Sequence, residues 1–216
     1  MKIAYKKQFD KFGYNPKSLG WIKGRQQLRF EALTKNIKTN NSSLLDFGCG
    51  FGDLSQFLLE KKLKVDYTGL DCMKEFISVA KEKHEGNYIL ADTIDDKITN
   101  NFDYIICSGV FNFLYDENIK IHEDIVFSII SNLFESCNSL LSLDFQSPFV
   151  DFKSQNSYHQ DITSLFDFIT NKLSKRFSFD HSYMPYEFCV HIFKDSNIKT
   201  PENIFYGSSG INSPKR

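Results

Sequence analysis

The chain has 216 residues, with 26 basic and 27 acidic side chains and a formal net charge of -1, which excludes the basic excess typical of a nucleic-acid binder. Its length predicts one domain with a sizeable core; no apolar run approaches the ~20 residues that cross a bilayer, and residues 1–7 lack an apolar signal-peptide stretch, so no membrane contact and a cytoplasmic location are expected. The five cysteines, at 49, 72, 107, 137 and 189, read as reduced thiols, and the absence of a CxxC pair or His/Cys cluster argues against a bound metal.

Short apolar runs alternate with segments of helical periodicity, the pattern of an α/β sheet. Residues 1–40 read as a helical leader, with a helix expected over 22–38. A core over 41–194 follows. It opens with a buried-strand run at 44–47, then Leu54, Phe57 and Leu58 at helical spacing. A second strand is expected at 65–71, and Met73, Phe76, Ile77 and Ala80 mark the helix after it. Residues 88–91 and 102–107 read as the third and fourth strands, Ile121, Ile125, Ile129 and Leu133 as a longer helix, and 139–145 as the fifth strand. A helix near 160–172 precedes two alternating runs, 176–183 and 187–194, which are joined at Met184-Pro185-Tyr186 and predict an antiparallel pair. Residues 195–216 form a polar tail.

The first strand runs into Asp46-Phe47-Gly48-Cys49-Gly50-Phe51-Gly52, an Asp-x-Gly-x-Gly-x-Gly pattern. Glycine is required where backbone must turn sharply from strand to helix and approach a ligand closely. A dinucleotide fingerprint would place its third glycine at position 53, which is Asp53. Further polar residues follow the next strands: Asp71 after the second, Asp92-Thr93 after the third and Ser108-Gly109 after the fourth. Each alone has an ordinary explanation as a turn, a helix cap or a loop residue. Their joint recurrence is better explained by a shared crevice, because successive strand ends of a doubly wound sheet line one.

This succession of motifs resembles the class I S-adenosylmethionine (SAM) dependent methyltransferases. The resemblance implies a Rossmann-like α/β fold with a mostly parallel seven-stranded sheet, a reversed carboxyl-terminal strand and helices on both faces. It also implies that Asp46, Gly48, Cys49, Gly50 and Gly52 pack on the methionine part and ribose of SAM. Asp71, with Cys72 and Met73, would receive the ribose hydroxyls, Asp92 and Thr93 the adenine, and Ser108 and Gly109 would floor the methyl-transfer pocket. A carboxylate suits a vicinal diol because it accepts two charge-assisted hydrogen bonds. Arg29 is a candidate for binding the methionine carboxylate bidentately; the alternative is a surface salt bridge with Glu31 or Asp53.

Enzymes that methylate base or glutamine amino groups carry an Asn/Asp-Pro-Pro-aromatic motif after the fourth strand. Here that place holds Cys107-Ser108-Gly109-Val110, so a small acceptor methylated on oxygen is the expectation. Residues 5–30, including Gly13-Tyr14, Leu19-Gly20-Trp21, Gln26 and Arg29-Phe30, resemble the leader of a group of small bacterial methyltransferases. Residues 108–112 and 183–188 resemble the same group. Related enzymes occur in gene clusters for surface polysaccharides and other secondary products, which implies a sugar, a phosphate or phosphoramidate, a nucleotide-linked intermediate or another polar metabolite as acceptor. An asparagine expected near 142–144 is absent.

Methyl transfer requires chiefly that the acceptor atom be held in line, about 3 Å from the methyl carbon. A base is needed only where the acceptor must lose a proton, as an alcohol must. His181, Tyr183 and Glu187 are the candidates. Each has an alternative reading: a partly buried sheet histidine, a tyrosine bonded to a turn, and a glutamate paired with a surface lysine. Tyr5, Tyr14 and Trp21 read either as an aromatic lid or as the packing of an amino-terminal helix. Two rival functions are a SAM-binding partner without catalysis and an NAD-dependent oxidoreductase, the latter disfavoured by Asp53 and the antiparallel end of the chain.

Overall fold

In a computed structural model that describes residues 2–20, 25–38, 41–92, 98–153 and 157–194, the apolar runs form seven strands of one sheet. Trp21, Thr93 and the 195–216 tail lie outside the described residues. The strands are β1 (Ser42–Phe47), β2 (Val65–Asp71), β3 (Asn87–Leu90), β4 (Phe102–Cys107), β5 (Cys137–Gln146), β6 (Phe177–Asp180) and β7 (Glu187–Phe193). Their spatial order is β3-β2-β1-β4-β5-β7-β6. Pairs from β3 through β5 are parallel, and β7 runs antiparallel to both β5 and β6.

Period-two alternation sorts the side chains of the central strands onto two faces. Leu45, Phe47, Ile105, Cys107, Leu141 and Leu143 join one core, packed by Val126, Ile129, Ile130 and Leu133 of α5 (Ile119–Glu135). Leu44, Tyr104, Ile106 and Leu140 join the other. That second face is covered by α2 (Gln26–Thr34), α3 (Asp53–Glu60) and α4 (Lys74–Lys83) through Leu33, Leu54, Phe57, Leu58, Ile77 and Ala80. Burial on both faces explains why β1 and β4 read as nearly continuous apolar runs. The remaining α-helices among the described residues are α1 (Lys2–Phe12) and α6 (Ile162–Phe168). Among the described residues no helix is long and apolar enough to cross a membrane.

Element ends depart from the expectations for local reasons. The helix expected over 22–38 is described only as Gln26–Thr34, after which the chain turns with Ile37 N–H bonded to Thr34 O at 2.9 Å. The segment near 160–172 starts where Asp161 accepts Ser164 N–H at 2.7 Å, a capping bond, and its last turn widens into a π-helical stretch over Ile169–Leu173. β6 stops at Asp180, because its carboxylate accepts the backbone N–H of Ser182 at 2.9 Å and turns the chain.

Gly69, in the middle of β2, shows how tightly the sheet and glycine loop are joined. A Cβ there would stand 2.8 Å from Tyr88 Cδ1 and 2.9 Å from Cys49 Sγ. Gly69→Ala is expected to lower stability by about 1–3 kcal/mol through overpacking, measured by urea unfolding.

Candidate cofactor and acceptor site

The glycine loop leaves β1 with Gly48, Gly50 and Gly52 at φ 76°, 55° and 80°, the left-handed region that side-chain-bearing residues avoid. Neighbours occupy the space a side chain would need: a Cβ at Gly48 would lie 2.3 Å from Val110 Cγ2, and one at Gly52 would lie 2.7 Å from Tyr88 Oη. The N–H groups of Gly48 and Cys49 both donate to Leu70 O, at 2.7 and 3.0 Å, drawing the loop onto the end of β2. Asp71 completes the join. Its Oδ2 accepts Gly50 N–H at 2.9 Å, and its Oδ1 accepts Met73 N–H at 2.8 Å just ahead of α4. Asp71 therefore lines the crevice without capping α4, whose N-cap position is Met73 with no side-chain capping bond.

These elements enclose a cavity with about 730 Å³ free of atoms, open solvent at its mouth included, within the range of small-molecule sites. Asp46, Gly48, Cys49, Gly50, Asp71, Cys72, Met73, Ser108 and Gly109 all line it, and the leader contributes Tyr5, Leu19, Gln26 and Phe30. Asp46 and Asp71 are the only charged residues on that described wall. Burial pushes the Asp46 carboxyl up to about 7, opposed by the hydrogen bond from Tyr67 Oη at 2.7 Å. Burial likewise lifts Asp71 to about 6 against the pull of its backbone donors.

Other expected residues are placed elsewhere. Gly52 lies just behind the wall, packed on Tyr88. Asp92 is also off the wall and pairs with Lys2 Nζ at 2.6 Å. Arg29 does not line the cavity, and neither acid considered for it is its partner: Glu31 bridges to Lys61 at 2.7 Å, and Asp53 accepts Gln26 Nε2 at 3.2 Å. Arg29 instead forms a bidentate pair with Glu187. Two residues expected in separate roles thus form one ion pair, with side chains only 10% and 13% exposed.

Beside that pair sits Asp144, a buried carboxylate that sequence reasoning did not select. It accepts Gly109 N–H at 2.6 Å and Ser108 Oγ–H at 3.0 Å, fixing the turn after β4. Burial raises it to about 6, with Arg29 opposing and Glu187 reinforcing the rise. The available signal was its place at the end of the fifth strand, where the resemblance leads one to expect asparagine. The Tyr183 hydroxyl is buried with no hydrogen-bond partner among the described residues, and burial, reinforced by the nearby Asp144 and Glu187, pushes its pKa far above the ordinary tyrosine range. His181 is exposed, and its Nε2 lies 2.8 Å from Ser147 Oγ. The fold therefore groups Tyr183 and Glu187 around Asp144 and leaves His181 bonded to the loop after β5.

Residues 45–125 match the family described as methyltransferase domain. Rv1506c of Mycobacterium tuberculosis, a protein named provisionally as a methyltransferase, is 30% identical over 164 residues, covering 71% of this chain and 94% of that protein. The chain belongs to the class I SAM-dependent methyltransferases. The magnesium protoporphyrin IX methyltransferase of Synechocystis, solved with SAM, has a TM-score of 0.61 at 16% identity over 89% of this methyltransferase and 96% of its own chain. The plantazolicin methyltransferase BpumL, solved with S-adenosylhomocysteine, has a TM-score of 0.64 at 15% identity, covering 88% and 93%. At those identities the two structures establish shared architecture alone.

The residues of this methyltransferase fit the cofactor. The glycine cradle has room only for backbone, and a wall whose charged groups are both carboxylates suits a ligand bearing a sulfonium and an ammonium. Asp46 holds its proton more tightly folded than unfolded, so ionising it costs stability as the pH rises from about 4 to about 7. Relative to Asp46→Asn, the unaltered protein is expected to lose roughly 1–4 kcal/mol across that window. Urea unfolding at pH 4.5 and 7.5 measures the difference, and parallel losses would show that Asp46 ionises freely. Arg29→Met, which removes the cation from the largely buried Glu187 and from beside the buried Asp144, is expected to cost about 3–5 kcal/mol in the same assay at pH 7.5.

Proposed function

We propose that this methyltransferase moves the methyl group of SAM to an oxygen of a small polar acceptor. A sugar, a phosphate or phosphoramidate, and a nucleotide-linked intermediate of surface-polysaccharide biosynthesis make up the acceptor class. The observation that carries the reading is the polar cluster behind the cavity floor, in which Asp144 holds both Ser108 and Gly109 and is flanked by Arg29, Glu187 and Tyr183. A floor that carries Ser108 and Gly109 and is backed by such groups suits a hydrogen-bonding acceptor. The polysaccharide setting rests on the resemblance of the leader and of residues 183–188. The two structural neighbours are named for a magnesium porphyrin and for plantazolicin; acceptors so unlike each other carry no identity over to this chain.

SAM supplies a methyl carbon on a positively charged sulfur, open to in-line displacement. The chain's own residues supply placement and proton handling. Asp71 accepts the ribose hydroxyls while its backbone donors hold the carboxylate still, and Gly48 and Gly50 let the backbone approach closely. Asp92 and Thr93 serve the adenine end. Ser108 and Gly109 form the floor on which the acceptor lies. Tyr183 keeps its proton at neutral pH, so it orients an acceptor by donating a hydrogen bond. Glu187 is held by Arg29 and shapes the field at Asp144. Asp144 is ionised at neutral pH and bonded to Ser108 Oγ. An alcohol acceptor would therefore release its proton to Ser108 Oγ as the Ser108 proton passes to Asp144, whereas a phosphate oxygen, already ionised, needs no such transfer. His181, beside Ser147, would meet only the far end of an acceptor.

Titration calorimetry with SAM and S-adenosylhomocysteine tests the cofactor assignments. Asp71→Ala is expected to weaken SAM binding by about 1–3 kcal/mol, since a charged hydrogen-bond acceptor is lost; unchanged affinity would remove Asp71 from the ribose. Methyl-labelled SAM with a panel of sugars, nucleotide sugars and phosphate esters tests the acceptor class. Label found only on nitrogen would overturn the oxygen assignment.

A further inference from the structure

Ser147, the first residue beyond β5, is fully buried and ties the loop that follows to three later segments of the chain. Its N–H donates to Tyr186 O at 2.9 Å, its carbonyl accepts from His159 Nδ1 at 2.7 Å, and its Oγ lies 2.8 Å from His181 Nε2. The same Oγ accepts Phe149 N–H at 3.1 Å. Tyr186 Oη donates to Asp151 Oδ2 at 3.1 Å, a second tie across the loop. A segment fastened at so many points holds its side chains in set places, yet Phe149 is 70% exposed, Phe152 80% and Tyr186 47%. Fixed aromatic rings turned to solvent suit recognition better than packing.

The loop also has the right place. Strands β4 and β5 are parallel, so it leaves the same end of the sheet as the Ser108-Gly109 turn after β4. Asn112 draws the two together, accepting Tyr158 N–H on its carbonyl at 2.9 Å and Gln146 N–H on Oδ1 at 3.1 Å. The hydrogen bonds then fix what the surface offers. A carbonyl oxygen can only accept, so His159 carries a proton on Nδ1 and, in the neutral ring, leaves Nε2 bare. The neighbour of that nitrogen is Ser157 Oγ at 3.3 Å, longer than an ordinary bond from a hydroxyl and easily exchanged. Asp151 adds a carboxylate acceptor. A ligand here must therefore bring donors: hydroxyl groups do, and a fully ionised phosphate does not. Phe149, tilted against the His181 ring at 6.3 Å, supplies an apolar face.

We propose that Phe149, Asp151 and His159 form a subsite, separate from the cofactor cavity, for a hydroxylated ring carried by the acceptor. The apolar face of the ring lies on Phe149, one hydroxyl donates to His159 Nε2 and another to Asp151. Ser147 and His181 are positioning residues that hold this arrangement. The subsite rests on the reading that the acceptor lies on the Ser108-Gly109 floor, and it selects acceptors without touching the reacting atoms. A hydroxylated ring has two sources, a pyranose sugar or the ribose of a nucleoside.

Saturation-transfer-difference NMR on the full chain with S-adenosylhomocysteine, using methyl α-D-glucopyranoside, uridine and methyl phosphate as probes, reads ring contact and, by titration, affinity. Saturation is expected on the sugar protons of the glucoside or of uridine, and the one that binds identifies the source. Phe149→Ala should weaken that probe about 3-fold or more, and Phe149→Tyr, which keeps the ring, should not. His159→Asn retains a donor where Nδ1 stands, so the Ser147 bond survives, but it removes Nε2 and should weaken the probe about 3–10-fold. None of these residues lines the cofactor cavity, so S-adenosylhomocysteine affinity should stay within about 2-fold in all three variants, which also shows that each is folded. Saturation confined to the uracil, methyl phosphate binding in preference to both rings, or ring binding unmoved by Phe149→Ala and His159→Asn would overturn the subsite. Failure of the unaltered protein to bind S-adenosylhomocysteine would overturn the cofactor reading, whereas normal binding of it with both ring probes silent would overturn the subsite alone.

Discussion

The Asp71 carboxylate is the joint on which the site depends. Two backbone N–H groups from different turns converge on it, Gly50 from the glycine loop and Met73 from the start of α4. The loop amides of Gly48 and Cys49 meanwhile share Leu70 O. Phe47 is registered against Leu70 in the parallel β1–β2 pair, so these bonds extend the sheet register into the loops beyond it. The three loop glycines and Gly69 are the geometric condition for this, since Tyr88 fills the space that side chains at Gly52 and Gly69 would take. Tyr67, packed on Tyr88 at 5.8 Å, donates its hydroxyl to Asp46. Two largely buried carboxylates on the cavity wall are thereby held in place, Asp71 by backbone amides and Asp46 by the Tyr67 hydroxyl.

A second constraint ties the acceptor side together. Arg29 on α2 faces Glu187 on β7, and Asp144 on β5 feels both while gripping the turn after β4. One cation among two carboxylates is an imperfect balance, and burying such groups is weak evidence for stability. Its effect is positional. Four elements are pinned at one corner of the sheet, next to the floor formed by Ser108 and Gly109, and Asp144 is left with a proton affinity close to neutral pH.

The architecture was legible because its signals are local. Leu44 to Phe47 and Tyr104 to Cys107 alternate between two cores, and the Asp-x-Gly-x-Gly-x-Gly pattern marks a turn that few other sequences allow. The antiparallel end was readable from two alternating runs around Met184-Pro185-Tyr186. What escaped was set by distance and register. Arg29 and Glu187 are 158 residues apart and meet only because β7 reverses against β5, placing Glu187 opposite Gln146; no local pattern contains that fact. Asp144 was passed over as a departure from an expected asparagine, although its carboxylate holds the same turn with stronger, charge-assisted bonds. His181 and Tyr183 are two residues apart, but the Asp180 turn separates them, sending His181 to Ser147 and Tyr183 inward.

The cost of the buried acids is tied to the ligand their wall would receive. Asp46 and Asp71 face a cavity whose described wall holds no cation, so their ionised forms are least comfortable when the cavity contains only water and protein. A positively charged ligand relieves that cost, and the relief grows as water is excluded, because the same charges attract more strongly at lower effective dielectric. Once the methyl group has gone, the ligand has lost its sulfonium charge, and that attraction falls. The acids that weaken the empty fold thus favour the charged donor over its neutral product.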